Sequence, residues 1–296
     1  MSNSATESGL VEDGATNDHI LRVTLFIEAF VIVLANLLTI ITFTINRHLR
    51  KRSMYCVINL AVVDMLFGIG ILVSYTVLAF EYLEQDSLRW LQVQNTVMGS
   101  WSMWSLVLVA VERMCATVWP LRHRNVTPWA YSLAISMTWI AAVICGVLTV
   151  TSMETTANHA KMWIKQLLQG LTICLEVGII CVSYIVIFIK VKQQQQQMAG
   201  QRVSRRDKRL AMTLFIVTVA SIGTWIPLAL ISMLTATDAI VVSSSVFGGI
   251  SLLSFSNSLI NPIVYVFRMK DFRKALLHLI LTCSRDRPTQ GVLQPN

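Results

Sequence analysis

Seven apolar runs punctuate the chain, at about 23–46, 54–80, 91–119, 128–150, 164–192, 208–236 and 240–267. Each is long enough for a helix to cross the hydrocarbon core of a bilayer, which takes roughly 20 residues. The connections between them are short and polar, so the pattern predicts one polytopic bundle rather than several domains. The third run is the most polar, with Gln92, Gln94, Asn95, Ser100, Ser102 and Ser105. A helix of that kind belongs in the middle of a bundle, away from lipid. After the seventh run, residues 269–281 place Phe272, Leu276, Leu279 and Ile280 near one face and Lys270, Arg273 and Lys274 on the other. That is an amphipathic helix lying on a membrane surface.

Charge orients the bundle. Arg47, Arg50, Lys51 and Arg52 fill the first connection, and Arg122 and Arg124 follow the third run. Arg202, Arg205, Arg206, Lys208 and Arg209 follow the fifth, and Arg268, Lys270, Arg273 and Lys274 follow the seventh. The second connection holds Glu81, Glu84 and Asp86, and the N-terminal stretch holds Glu7, Glu12, Asp13 and Asp18. Basic connections stay in the cytoplasm. The N-terminus is therefore expected outside a plasma membrane and the C-terminus inside. The expected organisation is an extracellular tail (1–22), a seven-transmembrane-helix domain (23–267), the amphipathic juxtamembrane helix (268–281) and a cytoplasmic tail (282–296). The fold class is all-α.

Composition agrees. Of 296 residues, 54% are hydrophobic and 14% charged, against roughly 25% charged in soluble domains, and the mean hydropathy is +0.61. The net charge of +8 is divided among short segments. It forms no continuous basic face of the kind nucleic acid requires, so no nucleic-acid partner is expected. The six cysteines form no CxxC pair and no Cys/His set with metal-ligand spacing. Residues 1–20 lack the apolar core of a cleavable signal, so the first run is expected to direct its own insertion. No inverted or tandem repeat of the transporter type is visible. The Gln run at 193–197 extends the fifth helix, and the sequon at Asn125 falls on the cytoplasmic side. Cys283 is a candidate for palmitoylation, with an unmodified thiol as the even alternative.

Several short motifs follow one another along the runs. Asn36 lies in the first, Asn59-Leu60-Ala61-Val62-Val63-Asp64 in the second, and Glu112-Arg113-Met114 at the inner end of the third. Trp139 lies in the fourth, Tyr184 low in the fifth, Trp225-Ile226-Pro227 in the sixth, and Asn261-Pro262-Ile263-Val264-Tyr265 near the end of the seventh. In this order the chain resembles the rhodopsin-like (class A) G-protein-coupled receptors over nearly its whole length.

The resemblance implies roles. Asp64, with Ser102, Asn257, Ser258 and Asn261, matches a site that holds an allosteric sodium ion; no covalent cofactor is implied. The bottom-up alternative for Asp64 is a protonated acid in a hydrogen-bond network. Arg113, with Glu112 beside it and Asp207 at the start of the sixth span, matches a switch that is closed at rest. Tyr184, Asn261, Pro262 and Tyr265 complete the part that meets a heterotrimeric G protein. Asn95, Thr96, Gly99, Trp225, Leu228, Ser251 and Phe255 match the ligand pocket, a largely neutral cavity for an extracellular lipid, neutral small molecule or peptide. Mid-helix Pro227 removes a backbone hydrogen bond and should kink the sixth span.

Departures narrow the class. The disulfide that commonly ties the third span to the second extracellular loop is ruled out, because Leu88 stands at its position and 151–165 contains no cysteine. Glu176 stands where the fifth span usually carries proline, and the chain resembles the melanocortin, cannabinoid and lysophospholipid branch in lacking both that bridge and that proline. An acid there needs a partner inside the bundle, with Ser100 and Thr96 as candidates. Phe255 replaces the retinal-binding lysine of opsins, and Asn95 replaces the aspartate of amine receptors. Two alternatives stand beside a ligand-driven receptor: one with high ligand-independent activity, and a membrane transporter or channel. An enzyme is not expected.

Overall fold

The computed structural model describes residues 2–49, 54–79, 85–154, 159–197, 205–236, 240 and 242–285. Within these, the side chains of 2–18, 77–92, 149–170, 194–211 and 282–285, and of some single residues including Asn95 and Thr96, are outside the description. The described residues are helical without a strand. The first three spans are α1 (Ser2–Ile45), α2 (Tyr55–Ala79) and α3 (Gln85–Val118). A short helix α4 (Pro120–Arg124) leads into α5 (Pro128–Glu154), α6 (His159–Gln197) and α7 (Arg205–Ala236), the fourth to sixth spans. The seventh is made of α8 (Ser244–Phe255) and α9 (Asn257–Arg268), and α10 (Lys270–Arg285) is the amphipathic helix.

Six of the apolar segments are long enough to cross a membrane, and α7 adds the shorter apolar stretch Val219–Leu228. The lipid requirement is visible at the surface. Leu133, Ile144, Val147, Leu175 and Phe188 are each more than half exposed, which only an apolar solvent tolerates over so wide a belt. The polar third span is central, as its composition predicts: α3 touches α2, α5, α6 and α7.

Prolines set the boundaries. The residue before a proline is driven out of helical geometry, and Trp119, before Pro120, has φ −124° and ψ 64°. Pro120 and Pro128 then open α4 and α5 at the position where a missing N–H costs nothing. The Ser243 hydroxyl caps α8 by accepting from Val246 N. Pro227 lies inside α7.

Two packed regions hold the spans together. The inner one joins Phe43, Leu60, Leu106, Ala110, Ile180, Tyr184, Tyr265 and Phe272. The outer one joins Leu25, Ile32, Phe67, Ile71 and Phe255. Phe272 anchors α10, its ring 5.0 Å from Phe43 and 6.0 Å from Tyr265.

Two features differ from the sequence reading. The N-terminal stretch continues α1 as helix from Ser2, with the apolar span starting at His19. The seventh span breaks at Ser256. Ser254 and Ser256 both turn their hydroxyls back to carbonyls four residues earlier, a local competition that bends helices.

Candidate functional site

Three polar clusters run down the axis of the bundle. The middle one centres on Asp64, which is fully buried. Ser102 and Ser258 donate to its Oδ1 at 3.1 and 3.0 Å, and Asn261 Nδ2 donates to Oδ2 at 2.6 Å. Neither serine hydroxyl has another acceptor among the described residues, so three donors converge on an acceptor-only carboxylate. Asn36 ties α1 to this level by donating to the Ser258 carbonyl at 3.0 Å. The side-chain oxygens of Asn36, Asn257 and Asn261 are buried without partners. Oxygen atoms left over around a carboxylate are what a hard cation uses, so the five predicted residues fit sodium chemically.

At the end of the bundle that carries α4, Glu112 is the hub. Arg113 Nε lies 2.5 Å from its Oε2, with both side chains buried. The other oxygen, Oε1, lies 2.9 Å from His123 Nε2, on α4, and 3.5 Å from the Tyr131 hydroxyl, on α5. Tyr131 and His123 Nε2 are 3.0 Å apart. A carboxylate oxygen only accepts, so this contact is a hydrogen bond in the imidazole tautomer that carries its proton on Nε2. The predicted Glu112–Arg113 pair is present; the Asp207 side chain lies outside the described residues. Tyr184 is buried and packs edge-on to Phe215 at 5.2 Å. Asn261, Pro262 and Tyr265 are buried on α9, and the Tyr265 hydroxyl has no partner.

Towards the outer end, a Cβ added at Gly99 would stand 2.6 Å from Trp225 Cη2, so α3 and α7 approach there only because residue 99 lacks a side chain. The Trp225 indole N–H is buried without a partner. Leu228 and Ser251 are half-buried, with the Ser251 hydroxyl donating to Phe247 O at 2.9 Å. Phe255 is buried against Phe67, ring centroids 5.2 Å apart. The Asn95, Thr96 and Cys283 side chains lie outside the described residues.

Glu176 is 1% exposed, and its Oε1 has no hydrogen-bond partner, so Ser100 does not serve as its partner. Three arrangements were not foreseen. His123 and Tyr131 share the Glu112 carboxylate. Asn59 joins three spans, donating to Ser105 at 3.2 Å and accepting from Trp139 Nε1 at 2.9 Å. Glu28 meets Ser256 across the break in the seventh span. A single acid inside the first apolar run was the one sequence signal available for the last.

Axial polar clusters threaded through a seven-helix bundle, with a closed acid–arginine pair at one end, are the layout of a signalling receptor. Residues 35–265 match the family described as "7 transmembrane receptor (rhodopsin family)", and the chain belongs to it: it is a G-protein-coupled, multi-pass membrane receptor. Among similar proteins, the histamine H2 receptor of Cavia porcellus is 25% identical over 89% of this chain and 79% of its own. The adenosine receptor A3 of Ovis aries is 23% identical over 88% and 89%. The sphingosine 1-phosphate receptor 3 of Takifugu rubripes is 24% identical over 84% and 68%. These relatives are receptors, not enzymes.

Proposed function

We propose that this receptor is held at rest by the Glu112–Arg113 pair and couples to a heterotrimeric G protein when Arg113 is freed and the sixth span swings outward. The buried 2.5 Å pair at the inner end of α3 is the observation that carries this reading. Asp207, at the start of α7, is the second acid in the switch. The basic connections put the N-terminus outside and the C-terminus in the cytoplasm of a plasma-membrane protein. Sodium at Asp64 holds the middle cluster in the resting arrangement, and Cys283 is a candidate lipid anchor after α10.

The ligand is a neutral small molecule, a lipid or a peptide entering above Gly99 and Trp225. The relatives' names cover an amine, a nucleoside and a phosphorylated lipid, so they select none of these. Asn95 offers no charge to an ammonium group, which counts against a simple amine. The receptor-family match over residues 35–265 counts against a transporter or channel.

The test is G-protein activation in cells, read with a panel of dissociation sensors for the wild type, Arg113→Ala and Asp207→Ala. Activation of some G protein by the wild type or Asp207→Ala, and none by Arg113→Ala, supports the switch. Equal signals from wild type and Arg113→Ala at matched surface expression remove it.

A further inference from the structure

The first span carries one acid in its apolar segment, Glu28. Its Oε1 lies 2.7 Å from Ser256 Oγ, at the break between α8 and α9. Its Oε2 is buried without a partner. Glu28 makes no ion pair among the described residues. From α2 the titratable neighbour is Tyr75, which Arg22 of α1 also approaches. The seventh span offers no titratable group before Tyr265, near its inner end.

Counting protons decides the state of Glu28. Ser256 Oγ also lies 3.0 Å from Leu252 O, the carbonyl four residues back. A hydroxyl has one proton, and here it has two acceptors. Elsewhere in this chain Thr24, Thr39, Thr42, Ser183 and Ser251 all give that proton to the carbonyl four residues back. If Ser256 does the same, the 2.7 Å contact needs its proton from Glu28. The chain of donors then runs from Glu28 Oε1–H to Ser256 Oγ–H to Leu252 O. The leftover Oε2 is a neutral carbonyl oxygen, far cheaper to leave unpaired than a carboxylate oxygen. Asp64 is the contrast: every donor around it points inward, with no competing acceptor.

We propose that Glu28 is a proton-binding site that latches the first span to the break in the seventh, and that the resting receptor is the form that holds this proton. The regulatory half of this inference rests on the receptor reading above. The latched form, with Arg113 paired, binds the proton more tightly than a form in which the seventh span has moved and Glu28 meets water. By linkage, acid stabilises the latched form and alkali releases it. An external rise in pH therefore raises basal signalling.

Two measurements separate the halves. Infrared spectra of the purified full-length receptor read the carbonyl stretch of neutral carboxylic acids directly. Glu28→Gln should remove part of that band, and an unchanged band overturns the proton assignment. In cells, basal G-protein activation by the wild type should rise by about threefold as external pH goes from about 5.5 to about 8.5. Glu28→Gln keeps a donor to Ser256 and should stay low and flat across the range. Ser256→Ala removes the acceptor and should be high and flat, and it carries the comparison if Glu28→Gln fails to reach the surface. A wild type without pH response, or variants that keep its full slope, overturn the latch. If the wild type and every variant are silent, the proposed resting switch with basal coupling fails, and the infrared band alone decides whether Glu28 holds a proton.

Discussion

His123 Nε2 stands 2.9 Å from Glu112 Oε1, so the turn after the third span grips the same carboxylate that holds Arg113. Hydrogen bonds to a charged group contribute about 1.5–3 kcal/mol, enough to move a two-state switch by roughly a factor of ten or more. His123→Phe should therefore change basal signalling by about that factor. His123→Gln, which can place an N–H near Nε2, should restore most of the wild-type level. Tyr131→Phe, losing a 3.5 Å contact to Glu112, should do less. Sensor measurements at matched surface expression check all three, and equal behaviour of the Phe and Gln variants would remove His123 from the switch.

Sodium should stabilise the protein through Asp64. A ligand that binds only the folded form adds stability that grows with its concentration, about 2.7 kcal/mol at a hundred times its Kd. The melting temperature of purified receptor should rise when choline chloride is replaced by sodium chloride at constant ionic strength. Asp64→Asn should lose that rise. An identical salt response in the two proteins excludes Asp64 as the site.

Gly99 is the point where α3 lets Trp225 in. Gly99→Val pushes branched carbons into the indole, so Trp225 must turn or α7 must move. Overpacking of this kind costs about 1–3 kcal/mol, and signalling should shift by about tenfold, in basal level or in the potency of any agonist found. Wild-type signalling from this variant would show that the ring's position is irrelevant to activation.

Glu176 separates stability from function. Glu176 Oε1 has no partner among the described residues, and replacing a buried polar atom left unpaired by an apolar residue of similar volume is neutral or stabilising by about 1–3 kcal/mol. Glu176→Leu should melt at the same temperature or higher. Loss of signalling in that stable variant, with Glu176→Gln intermediate, would assign the carboxyl a role in activation. If both variants signal as the wild type does, the acid is dispensable.

What the sequence reveals and conceals here follows from distance along the chain. The spans were legible because lipid demands long apolar runs, and the ordered motifs placed Asp64, Arg113 and Tyr265 because each sits at a characteristic point of its own helix. Asp64 and its partners, up to 197 residues apart, were grouped only through the family resemblance. Glu28 and Ser256 are separated by 228 residues, and nothing local to either announces the other. His123 reads as one more basic residue in the turn after the third span until α4 folds back onto α3. The break at Ser256 was hidden because a serine in an apolar run is compatible with unbroken helix.

Asn59 ties the second, third and fourth spans through Ser105 and Trp139, and the Trp139 ring meets Trp101 edge-on at 4.2 Å. The sixth span instead carries Pro227, whose missing N–H loosens its own helix. The bundle thus works like a machine with a stator and a rotor: one half is fastened across its width, and motion is left to the other. Reporter groups placed on the fastened half should serve as fixed reference points against which any stroke of the sixth span can be measured.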